Sequence, residues 1–225
     1  MDPRTEPALS RAAVEAIVRQ VVSERLRDQP SPRGSGSLVV HASARHMHLC
    51  REHVDKLFGP GHELVPDKEL YQPGNYSAKE TVTLVGPRRR LISNLRVLGP
   101  LREHSQIELA FTDAISLGFG DVPVRLSGDI AGTPGAFVMG PRGAVELREG
   151  VIRAAMHVHM NPSEAARYGV KTGDLMKLRV GGEAGVTFNR VHVRVDPSSR
   201  LEVHMDTDEA NACGLHLAKE IELFL

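Results

Sequence analysis

The sequence predicts a mainly β protein of barrel or sandwich type, built as two related halves with short helical caps and preceded by an amphipathic helix. Three observations predict it. Short strand-like runs recur at close spacing from Leu38 to the C-terminus, separated by Gly-Pro punctuation at Gly86-Pro87, Gly99-Pro100 and Gly140-Pro141. Such spacing favours barrels or sandwiches over βαβ units. The pattern around His46-Met47-His48-Leu49-Cys50 returns at His157-Val158-His159-Met160-Asn161. Ahead of both, Leu9, Ala13, Ile17 and Val21 form an i+4 ladder, one apolar stripe on a helix.

The elements follow in order. Residues 1–27 read as the amphipathic helix, and 28–36 as a flexible linker, because the run DQPSPRGSGS from Asp28 to Ser37 has nothing to pack. The helix either docks on its own domain or a twin subunit, or binds another protein as a targeting peptide. Leu38–His41, Thr81–Val85, Ala136–Met139, Leu175–Val180 and Val191–Val195 read as strands. Short helices are expected after Cys50 and after Asn161, the latter with Pro162 at its first position. The repeat extends downstream. Ile107-Glu108-Leu109 precedes Thr112-Asp113, and Val203-His204-Met205 precedes Thr207-Asp208.

Composition narrows the function classes. The 225 residues carry 28 basic and 28 acidic side chains, so no global field favours nucleic acid or membrane. Trp is absent, and no apolar run approaches the ~18 residues of a membrane span. Two cysteines, Cys50 and Cys213, exclude a disulfide framework.

The chemistry lies in the histidines, 11 in all. On a strand, residues i and i+2 share a face ~6.5–7 Å apart, so H-x-H aims two imidazoles at one cation. A lone H-x-H is weak in so His-rich a chain; two at matching places in a repeat are not. The repeat offers a third ligand to each pair, Glu108 to His46 and His48, and His204 to His157 and His159. His₂Glu and His₃ are both ligand sets of catalytic zinc; the alternative is core histidines satisfied by hydrogen bonds. His41, His53, His62, His104, His192 and His216 have no repeat partner, and His41 is expected to face away. Cys50, matched by Asn161 in the repeat, is expected to cap its helix rather than act as a nucleophile.

SARHMHL (Ser43–Leu49), VLGPLREHSQIEL (Val97–Leu109), SGDIAGTPG (Ser127–Gly135), EGVIRAAMHVHMNPSEA (Glu149–Ala165) and LEVHMDTDEANACG (Leu201–Gly214) resemble the phosphate propanoyltransferases, the phosphotransacylases of bacterial microcompartments. The N-terminal helix and linker resemble the encapsulation peptides of such enzymes. The resemblance implies two β-barrels, 47–154 in the first and 37–46 with 155–225 in the second, the first strand being exchanged. It implies reversible reaction of acyl-CoA and phosphate to acyl phosphate and coenzyme A, with two divalent metals, usually zinc. One metal would take His46, His48 and Glu108, the other His157, His159 and His204. Arg102 of the GPLR motif would hold phosphate, with Ser127 and Arg194 beside the substrates. A homo-oligomer in the bacterial cytoplasm, inside a microcompartment whose shell or cargo the N-terminal helix engages, is the expected setting. The family more often has Ser or Thr at Cys50 and Arg at Met156. A two-metal hydrolase and a metal-stabilised assembly protein are the rival readings.

Overall fold

The structure, a computed structural model, describes residues 38–225. The helix expected over 1–27 and the linker over 28–36 lie outside the described residues.

The described chain is mainly β. Its strands are β1 (Val39–Ser43), β2 (His46–His48), β3 (Pro66–Glu69), β4 (Tyr76–Val85), β5 (Leu91–Gly99), β6 (Gln106–Glu108), β7 (Val124–Arg125) and β8 (Ala136–Met139). They continue as β9 (Ala144–Leu147), β10 (Val151–Ala154), β11 (His157–Met160), β12 (Leu175–Val180), β13 (Val186–Val195), β14 (Glu202–Asp206) and β15 (Ile221–Phe224). β2 to β10 make a nine-stranded sheet in the order β7-β10-β6-β2-β5-β4-β8-β9, with β3 also on β4. The other six make a sheet in the order β1-β14-β11-β13-β12-β15. β1 therefore lies in the sheet of the C-terminal half, parallel to β14. Both sheets curl, but neither closes by strand pairing. β7 and β9 end one and β1 and β15 end the other, where closed barrels are the sequence expectation.

Alternation sets the faces. β12 reads LMKLRV with Met176, Leu178 and Val180 buried and the residues between them exposed, the period of two that a half-solvated strand requires. Each sheet has its own core. Met47, Val97 and Ile107 are wholly buried in one, and Val158, Val191 and Val203 in the other. Each such side chain contributes about 1.5–3 kcal/mol.

The helices are short and follow the ends of site-bearing strands: α1 (Arg51–Phe58), α2 (Phe111–Leu117), α3 (Pro162–Tyr168) and α4 (Thr207–Ala212). Asn161 caps α3 through Ser163 N and Glu164 N, with Glu164 returning the bond, and Gly169 ends it at φ 71°. Asp206 and Glu209 cap α4 in the same way. Cys50 occupies the N-cap position of α1, but its side chain makes no capping bond. Instead Ser105 Oγ accepts from Cys50 N at 3.0 Å and points its hydroxyl at the sulfur at 3.5 Å.

Candidate active site

The H-x-H runs are strands whose middle residue is apolar, and the pleat turns that residue into the core. β2 lies between β5, parallel, and β6, antiparallel; β11 lies between β13, parallel, and β14, antiparallel. Met47 sits opposite Ile107, while His46 and His48 sit opposite Glu108 and Gln106. Val158 sits opposite Val203, while His157 and His159 sit opposite His204 and Glu202. Cross-strand partners share a face at about 4.5–5.5 Å, so each pair of histidines meets its third residue on the face away from the core.

In the first cluster His46 Nε2 lies 3.5 Å from Glu108 Oε2, and His48 Nε2 lies 4.0 Å from Glu108 Oε1. His46 Nδ1–H donates to Ala44 O at 2.8 Å, which leaves the Nε2 lone pair facing the carboxylate. Glu108 Oε1 accepts from Gln106 Nε2 at 2.7 Å and from Ser127 Oγ at 2.8 Å. Arg102 Nη1 donates to the same Ser127 oxygen at 2.8 Å. The ligand atoms of His46, His48 and Glu108 fall within 4.8 Å of one another, the only such trio among the described residues. They form a candidate metal site.

The electrostatics fit a cation. Burial opposes charge on His46, but the facing Glu108 carboxylate outweighs it and raises the pKa. His48 is pushed down to about 3 by burial, then by His46 and Arg102. Burial would raise Glu108, yet the two histidines and Ser127 hold it well below the usual carboxylate range. His48 Nδ1 is buried without a hydrogen-bond partner.

The second cluster is gathered differently. His157 Nδ1–H donates to Ala155 O at 2.8 Å, and its Nε2 lies 3.2 Å from His159 Nε2. His204 stacks flat on His157, centroids 5.0 Å apart and planes 8° from parallel, so the three rings touch without converging on one point. Its Nδ1 is 3.2 Å from Ser43 Oγ. Its Nε2 is 2.9 Å from Glu202 Oε2 but out of hydrogen-bond alignment, leaving a second orphaned buried nitrogen. Burial, with His204 next, pushes His157 to about 3 and His159 to about 4. Crowded imidazoles, His157 and His159 held neutral, together with an orphaned nitrogen are the donor chemistry of a divalent cation.

His41 does not face away as its place in the chain suggests. β1 pairs with β14 so that His41 aligns with His204, and its Nδ1 contacts Glu202 Oε1. The sequence reading also passes over Gln106 and Glu202. Each stands two residues before a proposed ligand, on the same face by strand period, and that spacing is the signal that would have found them.

The clusters adjoin. His46, Glu108, His157 and His204 line one crevice together with Arg45 and Asp206. Arg194, aligned with His159 across β11 and β13, is close enough to Arg102 to depress it, after burial. Arg194 makes no ion pair among the described residues. Glu108 pulls Arg102 the other way, and a guanidinium with donors to spare beside this crevice suits an anion.

Comparison with known proteins gives the class. The phosphate propanoyltransferase family model matches residues 39–216. A phosphate propanoyltransferase of Planctopirus limnophila is 53% identical over 96% of this chain and 91% of its own length. Those of Lachnoclostridium phytofermentans (46%, over 90% of this chain and 93% of its own) and Salmonella typhimurium (44%, over 92% and 93%) are similar too. The chain belongs to the phosphate propanoyltransferase family, and is an acyltransferase that uses phosphate.

Proposed function

We propose that this chain moves a short acyl group, propanoyl by its relatives' name, reversibly between coenzyme A and phosphate by direct transfer at two metal centres. His46, His48 and Glu108 would hold one metal and His157, His159 and His204 the other, in keeping with the two halves 47–154 and 37–46 with 155–225. Imidazole and carboxylate donors suit zinc. When bound, such an ion supplies a Lewis acid for the thioester carbonyl or the departing thiolate. The observation that carries the reading is Arg102, tied through Ser127 to Glu108 of the His46–His48–Glu108 trio. Phosphate is a poor nucleophile unless held against its target, and a guanidinium fork holds it in a fixed orientation. Ser127 keeps Arg102 turned inward while donating to Glu108, so anion and metal sites share one support.

Direct transfer is favoured over a covalent acyl-enzyme. Ser105 Oγ does lie 2.7 Å from His53 Nδ1. That hydroxyl is buried and already accepts from Cys50 N, which suits a structural tie rather than a nucleophile. Residues 1–27 would carry the enzyme to a microcompartment shell or associate with a second copy; the apolar ladder Leu9, Ala13, Ile17, Val21 supports this.

Thiol release from acetyl-, propanoyl- and butanoyl-CoA, each with and without phosphate, tests the reading. Phosphate-dependent release, fastest with propanoyl-CoA, is expected. Equal release without phosphate would make the chain a thioester hydrolase and overturn it.

A further inference from the structure

Glu202 is a carboxylate where the fold does not need one. It is 1% exposed, and no Lys or Arg among the described residues pairs with it. A buried charge costs several kcal/mol unless donors surround it. The donors here are specific. Gln72 Nε2 donates to Oε2 at 2.6 Å and His41 Nδ1 meets Oε1, while the His204 imidazole stands alongside, its Nε2 2.9 Å from Oε2. Gln72 comes from the loop before β4, in the other half of the chain, and is fastened in turn. Its amide donates to Arg200 O at 2.8 Å and accepts from Arg200 N at 3.1 Å. Two donors from two other segments, Gln72 and His41, therefore fix one carboxylate beside the His204 imidazole.

The other cluster explains the choice of residue. By register, Gln106 stands to His48 as Glu202 stands to His159, and Glu108 stands to His46 as His204 stands to His157. Where the third residue is a carboxylate, the neighbour two positions earlier is an amide that donates to it. Where the third residue is an imidazole, that neighbour is a carboxylate that can only accept. Each third residue thus has a companion of the opposite hydrogen-bonding sense, which is how a ligand's free atom is kept turned toward its ion.

We propose that Glu202 is the positioning residue of the second metal centre, holding the His204 imidazole ready for a divalent cation while Gln72 and His41 hold Glu202. The proposal rests on the two-centre reading above. Glu202 is not itself a ligand, since both its oxygens face donors already.

The test is binding of Zn²⁺ to the metal-free full chain, in competition with a chromophoric chelator, with Co²⁺ absorption as a second readout. Loss of an outer partner of a metal ligand typically weakens binding about 10–100-fold. Glu202→Ala should weaken one equivalent by about that factor, change its Co²⁺ spectrum, and leave the other equivalent as in the wild type. Glu202→Gln, whose amide oxygen still accepts, should recover part of the loss. Gln72→Ala should shift the same equivalent in the same direction by less, and it decides the matter if Glu202→Ala does not fold. Wild-type affinity at both sites in Glu202→Ala and Gln72→Ala overturns the proposal, as does equal weakening of both sites, the mark of a purely structural role. If the wild type binds a single equivalent that His159→Ala leaves intact, the two-centre reading falls and the proposal falls with it.

Discussion

His46 and His157 are oriented by the same device: the Nδ1–H of each donates at 2.8 Å to the carbonyl two residues before it, Ala44 and Ala155 respectively. The bond fixes the tautomer and leaves Nε2 as the nitrogen with a lone pair. In one cluster that nitrogen faces Glu108, and in the other it faces His159. Purified protein should hold up to about two divalent metals per chain, and His48→Ala and His159→Ala should each remove about one, with most of the activity. Elemental analysis after gel filtration checks this. Full metal content in either variant removes that residue from its ligand set.

Arg102→Lys should stay damaged. A lysine keeps the charge, but it cannot both brace Ser127 and present a planar fork to phosphate. The expected loss is about 10–100-fold in kcat/KM for phosphate, with the KM for acyl-CoA much less changed. Steady-state kinetics with each substrate varied in turn would measure it. An unaltered phosphate dependence transfers the role to Arg194.

Metal-free protein should lose stability on acidification. His48 and His157 are held at about 3 and His159 at about 4, whereas an unfolded imidazole titrates near ~6.5. Between those values the unfolded chain binds protons that the folded chain refuses, so stability is complete above ~6.5 and falls as pH drops toward the folded values. His46 works in the opposite sense. Its raised pKa gives a contribution present below ~6.5 and lost as pH rises through the folded value. Three groups outweigh one. The urea midpoint should fall between about pH 7.5 and about pH 5, and His157→Gln should flatten the fall. A midpoint that rises on acidification would show that the His46–Glu108 pair dominates.

Removing residues 1–37 should leave metal content and specific activity intact while reducing self-association. The cut cannot go further, because Leu38 is buried in the core of the six-stranded sheet and β1 begins at Val39. Specific activity, metal analysis and light scattering on the shortened chain check this. Lost activity with an altered circular dichroism spectrum would mean that the helix packs on the enzyme and is no targeting peptide.

The parts of the site legible in the sequence are those with a period. H-x-H repeats because a strand turns alternate residues to one face, and Met47 and Val158 between the histidines mark the core side. Asn161-Pro162 announces a helix start for an equally local reason. What stays hidden depends on pairing between distant segments. His41 looks misdirected when its parity is counted along the chain; only the β1–β14 pairing shows it beside His204. Gln72 sits in a polar loop and gives no sign that it reaches Glu202. β3, with Pro66, Asp67, Lys68 and Glu69 all exposed, has no apolar pattern to read. Cys50 misleads by analogy, since a thiol at an N-cap cannot accept as Asn161 does.

The nine-stranded sheet is continuous in sequence, from His46 to Ala154, while the six-stranded sheet needs Val39–Ser43 together with Glu202–Asp206. A chain emerging from the ribosome can therefore complete one half of the enzyme while its first strand waits, unpaired, for nearly all the rest to be made. Until then that segment is an open edge able to pair with another nascent chain. Assembly of the His204–Glu202–His41 group becomes a late event of biosynthesis, followed by α4 and β15, and a chain cut short before β14 would hold a finished first cluster with no second one to work against.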